Sequence, residues 1–336
     1  MSAHYTRAVL LVLAVPAALS AQVIDLTIRD VGIAIGDKPR MTGLRINYRD
    51  RKLEQIIGLN ATIWSPYEPA TGVVRGVALG LPATGARRIE GLALGAAGVG
   101  AEESITGIGV GGIGLGAGGE LRGIMIGGIG VGSGSGVTGV GVGVIGVGGG
   151  GPMTGVMIGG IGVGGGGDVR GITIAGIGVG SGGTVRGLAV GGIGVGAGGG
   201  VSGIAVGGIG VGSGGDVTGL SIGGVGVGAG GKLRGLSIGG IGVGAPELEG
   251  VALTGFGAGS KNAKAIVIAP GYFRIEEEGE FRGASLSAYN RVLGRQHGFT
   301  LGLLNYAREL NGIQVGLINI SDNGGRRRIM PFIGIR

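Results

Sequence analysis

This chain reads as an all-β, glycine-rich repeat protein, a parallel β-solenoid with coils of about 16 residues, and three observations carry that expectation. First, the motif Gly-φ-x-φ-Gly-Gly-φ-Gly-φ-Gly, with φ Ile, Val or Leu, begins at Gly91, Gly107, Gly123, Gly139, Gly155, Gly171, Gly187, Gly203, Gly219 and Gly235, always 16 residues apart. Second, its aliphatics fall two apart, as in Leu188 and Val190 or Ile193 and Val195. That is strand alternation, whereas a helix would lose about 1 kcal/mol at every Gly. Third, Gly supplies 91 of 336 residues, yet 43% of the chain is hydrophobic and only 14% charged, unlike a disordered chain. Collagen is excluded because the glycines follow no Gly-X-Y triplet.

Taken in order, residues 1–21 read as an export signal. Arg7 gives the positive start, Ala8 to Ala18 an apolar run, and Ala18-Leu19-Ser20-Ala21 a small-residue cleavage site. The run is too short to anchor in a bilayer as a helical span. With no cysteine there is neither a disulfide nor a lipidated thiol, so stability must come from stacking. Residues 22–42 read as an N-terminal cap segment and 43–328 as one continuous repeat array, regular over 91–249. Residues 329–336 read as a C-terminal cap strand. The outer copies are eroded, but Phe281-Arg282-Gly283-Ala284-Ser285-Leu286 still matches Leu233-Arg234-Gly235-Leu236-Ser237-Ile238 position by position.

Within a copy the alternation slips by one across Gly191-Gly192, so the chain turns there for Leu188, Val190, Ile193 and Val195 to share one interior. Two architectures meet that demand. A solenoid coil would corner at Gly-Gly and at Ala197 to Gly200. An antiparallel hairpin array, closed into a barrel or arranged radially, would make Gly191-Gly192 a tight turn with positive φ. The C-terminal copies favour coils. Leu317 stands where the second turn Gly stood, which a positive φ would penalise. Asn290, Asn305 and Asn319 recur at one position, which stacked coils would join into a hydrogen-bonded column.

Gly302-Leu303-Leu304-Asn305-Tyr306-Ala307 and Asn311-Gly312-Ile313-Gln314-Val315-Gly316-Leu317-Ile318-Asn319-Ile320-Ser321 resemble the repeat of bacterial, leptospiral-type surface repeat-containing proteins. The resemblance covers the C-terminal copies, and it implies an exported envelope protein of undefined activity.

Motifs of known chemistry are present in letters only. Gly219-Leu220-Ser221-Ile222-Gly223 and Gly235-Leu236-Ser237-Ile238-Gly239 fit a nucleophile elbow. Both serines sit at a variable repeat position, and His297 is the one histidine after residue 21. Gly-x-Gly-x-x-Gly strings lack the following helix, and Gly231-Lys232-Leu233 lacks the hydroxyl of a phosphate loop. Asp168 and Asp216 form no carboxylate ladder for calcium, because the equivalent corners hold Glu120, Thr184, Gly200 and Lys232. His297 alone makes no zinc site and reads as a corner residue. Glu276-Glu277-Glu278 reads as a solvated run. Trp64, Tyr67, Tyr272 and Phe273 read as core covers, with a small binding lip as the sharper alternative. No cofactor or metal is expected.

Charge is +7 overall, gathered at the ends: Arg40, Arg45, Arg49, Arg51 and Lys52, then Arg326, Arg327, Arg328 and Arg336. These read as solvated end caps, or as weak attraction to an anionic envelope surface. The residue before each motif Gly forms one polar stripe, with Arg75, Arg122, Arg170, Arg186, Arg234 and Arg282 among Thr138, Thr154, Ser202 and Thr218. This stripe is the candidate contact for an anionic envelope polysaccharide; nucleic acid is not an expected partner. The function class that follows is an exported, non-enzymatic structural or surface repeat protein, contacting an envelope component or other surface proteins through repeat faces. The rival is an integral outer-membrane β-barrel of porin type.

Overall fold

The computed structural model describes residues 23–336, so the export signal expected at residues 1–21 lies outside the described residues. The fold is an all-β parallel solenoid of about 18 turns. Its contacts divide the chain into two units, Met1–Gly150 and Gly151–Arg336.

In the second unit one coil shows the logic. Thr184–Gly191 and Gly194–Ala197 are its strands, cornered at Gly192-Ile193 and again at Gly198-Gly199. Each strand lies parallel and in register with its copy 16 residues on: Val185 beside Val201, Leu188 beside Ile204, Val195 beside Val211. A hairpin would instead pair Val190 with Ile193 antiparallel, so the hairpin array and the barrel built from it are replaced by coils. Antiparallel pairing occurs where Ile24–Ile28 meets Val31–Ile35 in the first unit, and where Ile313–Asn323 meets Arg326–Ile335 in the second.

One Gly per coil is required by the backbone. Gly187 has φ 112°, its counterparts Gly203, Gly219 and Gly235 lie between 108° and 110°, and a Cβ there would stand 2.2 Å from the Gly171 carbonyl oxygen. An L side chain is strained in that region and would also strike the neighbouring coil.

The interior differs from the one expected from the alternation. Val185, Ala189 and Val195 point inward and are buried, while Leu188, Val190 and Ile193 face out, Ile193 at 49% exposure. Of the four aliphatics assigned to a shared interior, only Val195 is there. The inward parity is set one residue before the polar stripe, at Val185. After the exposed, positive-φ Gly187 it resumes at Ala189 and Gly191, which puts the intervening Leu188 and Val190 outside. The enclosed space is narrow: its middle position holds Thr173, Ala189, Ala205, Ser221, Ser237 and Ala252 over six successive coils, and the motif's Leu188, Val190 and Ile193 are outside.

In the first unit the column equivalent to Val185 holds Val74, Ile89, Ile105, Leu121 and Val137. Met125, fully buried, lies in register between Gly109 and Gly141 and fills the room these leave.

Each unit also holds a buried polar cluster. Arg45, expected as a solvated end-cap cation, is fully buried. It occupies the middle inward column between Ala34 and Asn60, where its guanidinium donates to Asp37 (2.8 Å), Asn60 (2.8 Å) and Asp50. A charge so enclosed persists because carboxylates and an amide answer it. In the second unit Asn290 donates to Asn305 and Asn305 to Asn319, each at 2.8 Å and fully buried, the column expected from their spacing. Ser285 donates to the Asn290 side-chain Oδ1 at 2.8 Å and Gln314 to the Gln296 Oε1 at 3.0 Å.

Candidate functional site

The polar stripe is in register. Arg75, Glu90, Thr106, Arg122 and Thr138 neighbour one another in the first unit. In the second, the series Thr154, Arg170, Arg186, Ser202, Thr218, Arg234, Glu249, Lys264 and Arg282 runs without a break. It is not a cationic track. Arg75 pairs with Glu90 (3.0 Å), Arg122 with Glu120 (2.8 Å), Arg170 with Asp168 (2.6 Å), Arg234 with Glu249 (2.8 Å) and Arg282 with Glu280 (2.9 Å). Of the six arginines, Arg186 alone has no ion pair among the described residues. The guanidiniums of Arg234 and Arg282 hold the Glu249 and Glu280 carboxyls below the ordinary 4.5. Exposed pairs of this kind add little to stability, but they do cancel the local field.

The nucleophile-like serines are inside the wall. Ser221 and Ser237 occupy the middle inward column at 1% and 4% exposure, and the Ser221 hydroxyl donates to that of Ser237 at 3.0 Å. A substrate carbonyl has no path to either oxygen. His297 lies instead beside Glu280, at 3.2 Å. Asp168 and Asp216 act within the corners: each accepts the backbone N–H one coil on, from Thr184 and Lys232, both at 2.8 Å. The Thr184 N–H, then the Thr184 side chain and the Arg170 guanidinium, keep the Asp168 carboxyl below its usual 3.8. Among the described residues no cluster of His, Cys, Asp or Glu has the makings of a metal site.

The aromatics divide. Phe273 is fully buried against Phe281, their ring centroids 5.0 Å apart, and Tyr272 is half-buried beside Tyr289. Trp64 and Tyr67, expected as core covers, are 47% and 42% exposed. The Arg49 guanidinium stacks 3.7 Å from the Tyr67 ring centroid. Their segment borders a groove of about 710 Å³ in the first unit, between Ser65, Pro66, Glu68 and Ala70 and a floor of glycines that includes Gly100, Gly116 and Gly132. At Gly100 and Gly132 an added methyl would meet nothing within 4 Å, so local packing does not demand glycine there.

The most extensive feature of the surface is aliphatic. In the second unit one outward ladder runs Val156, Ile172, Leu188, Ile204, Leu220, Leu236, Val251 and Ile266 before Ala284, Phe299 and Ile313. A second, two residues on, runs from Ile158 to Val315 through the same eleven rungs. The corner adds a third, Ile161, Ile177, Ile193, Ile209, Val225, Ile241 and Phe256, each bonded through its backbone to the next and each at least 46% exposed. Reading all four motif aliphatics as interior concealed this face; inward parity traced from Val185 would have revealed it. Compared with family models, with curated proteins and with solved structures, the chain finds no match.

Proposed function

We propose that this is an exported, non-enzymatic structural repeat protein that works by presenting extended coil faces to other proteins. The observation that carries the reading is the side-chain sorting: the hydroxyls that match a catalytic motif are sealed in the interior at Ser221 and Ser237, while the large aliphatics are displayed outside. Large exposed apolar surface on a folded chain marks an interaction site. An anionic polysaccharide is the weaker partner, because five of the six stripe arginines already hold carboxylates. Export rests on the leader-like residues 1–21.

Two measurements test this. Mass spectrometry of the chain recovered from outside the cytoplasm is expected to give a species beginning at Gln22; recovery of the uncleaved chain from the cytoplasm alone refutes export. Purified protein assayed on esters and peptides is expected to be inert. A hydrolytic activity that disappears in Ser221→Ala or Ser237→Ala refutes the non-enzymatic reading.

A further inference from the structure

The outward aliphatic ladders of Gly151–Arg336 make a surface that an isolated soluble chain has no reason to display. Rungs of parallel strands repeat every ~4.8 Å, so the two strand ladders with eleven rungs extend about 50 Å and the corner ladder with seven about 30 Å; Leu188 to Val190 adds a width of about 7 Å and Val190 to Ile193 about 10 Å. The resulting area is roughly 650 Å², within the ~600–1,000 Å² that one partner contributes to a stable interface of standard size. Scattered exposed apolar residues need no explanation; a continuous face of this extent does.

Over its first six rungs, Val156 to Leu236, the face is also electrically balanced and sparsely charged. Residues 151–249 contain four carboxylates (Asp168, Asp216, Glu247, Glu249) and four basic groups (Arg170, Arg186, Lys232, Arg234). The stripe flanking the ladders is largely self-neutralised through Arg170–Asp168 and Arg234–Glu249. An anionic membrane surface would call for an unpaired basic rim, which is missing from this stretch.

We infer that this face binds a second copy of the same chain, aliphatic face to aliphatic face, an inference that rests on the proposed face-presenting role. The matching of periods favours a copy over another protein. Ladders of Ile, Val and Leu at one fixed rung spacing interdigitate along their whole length only with a surface of the same spacing, and an identical chain supplies it by construction. This is the packing that makes dry zippers between identical ladders stable. Association through the C-terminal strand edge is disfavoured by the sequence there: Arg326–Ile335 carries Arg326, Arg327, Arg328 and Pro331, the charges and missing N–H by which edge strands are protected. The contact is therefore lateral, between faces.

The test uses the full mature chain. Analytical ultracentrifugation is expected to give twice the chain mass. Ile193→Lys with Ile209→Glu places charges at the middle of the corner ladder, where the side chains are 49% and 54% exposed and the interior is untouched. The expected result is a dissociation constant raised about 30-fold or more, as for a central anchor residue, with an unchanged β circular dichroism spectrum. Should that variant fail to fold, cysteine scanning decides, since the chain has no cysteine of its own. Single replacements Ile161→Cys, Ile177→Cys, Ile193→Cys, Ile209→Cys and Ile241→Cys are expected to give an oxidised dimer at one rung or more, and Gly196→Cys on the other face none. A wild-type monomer at all concentrations, a dimer indifferent to the charged pair, or crosslinking only through Gly196→Cys overturns the inference. A monomer that floats with neutral phosphatidylcholine vesicles would assign the face to lipid and overturn it too. In each of these cases a species beginning at Gln22 and lacking hydrolytic activity would leave the exported, non-enzymatic reading standing.

Discussion

Gly187 and Gly196 stand nine residues apart in one coil and are constrained in opposite ways. At Gly187, φ is 112° and a methyl would lie 2.2 Å from the Gly171 carbonyl oxygen; at Gly196, a methyl would meet nothing within 4 Å. Gly187→Ala is therefore expected to destabilise the chain by at least about 1–3 kcal/mol through backbone strain, with the carbonyl contact adding to it. Gly196→Ala is expected to stabilise by about 0.4–1 kcal/mol, because it removes freedom from the unfolded chain at no cost to the fold. Urea unfolding followed by circular dichroism would read the two shifts, and equal shifts in the same direction would refute the distinction. In the sequence these two glycines look alike. A motif records that Gly recurs, but whether the cause is a positive φ, a close backbone or an empty face depends on the neighbouring coil.

At the scale of the strand and its corner, the period and the Asn290–Asn305–Asn319 column were legible from spacing alone, while the corner read at Gly191-Gly192 lies one residue on, at Gly192-Ile193. The parity of Leu188 and Val190 was not. The expectation that all four motif aliphatics point inward overfills this narrow coil, which takes Val185 and Val195 at its ends and the small Ala189 between them and leaves Leu188, Val190 and Ile193 outside. The carboxylates of the polar stripe were missed for a different reason. Glu90 and Glu249 stand 15 residues after Arg75 and Arg234, because those coils are one residue shorter, and a strict 16-residue frame steps past them. Asp168 shows how a corner side chain ties one coil to the next, by accepting the Thr184 N–H. That bond, with the Thr184 side chain second and Arg170 third, lowers the folded-state pKa of Asp168 below the ordinary 3.8. The stabilisation is accordingly complete above the unfolded value and is lost as pH falls below about 3.8 through the folded-state value. Asp168→Asn is expected to lower the urea midpoint at pH 7 and to leave it close to wild type at pH 2. A deficit that is the same at both values would show that the carboxylate charge plays no part.

At the scale of the whole molecule, stability is a sum over coils and over the interfaces between neighbouring coils. A coil of the regular stretch buries only a few inward side chains, Val201, Ala205 and Val211 in one of them, so no single coil holds a core of its own. Its strands are satisfied by copies before and after it: Gly200–Gly207 pairs with Thr184–Gly191 on one side and with Asp216–Gly223 on the other. Removing residues 203–218 takes out one full period. Ser202 then leads into Gly219, a glycine of the same positive-φ column, and every ladder closes again over the gap with its register intact. The shortened chain is expected to keep its β circular dichroism per residue and a cooperative unfolding transition, at a midpoint only slightly reduced by the loss of one rung. Removing half a period, residues 203–210, joins Ser202 to Val211 instead. That junction leaves the coil without its Gly203 bend and without the Gly208-Ile209 corner, so the ladders downstream have no strand to continue from. This variant is expected to lose much of its β signal or to aggregate through the unpaired edges. If the two deletions behaved alike, the coil would not be the unit of which this protein is made.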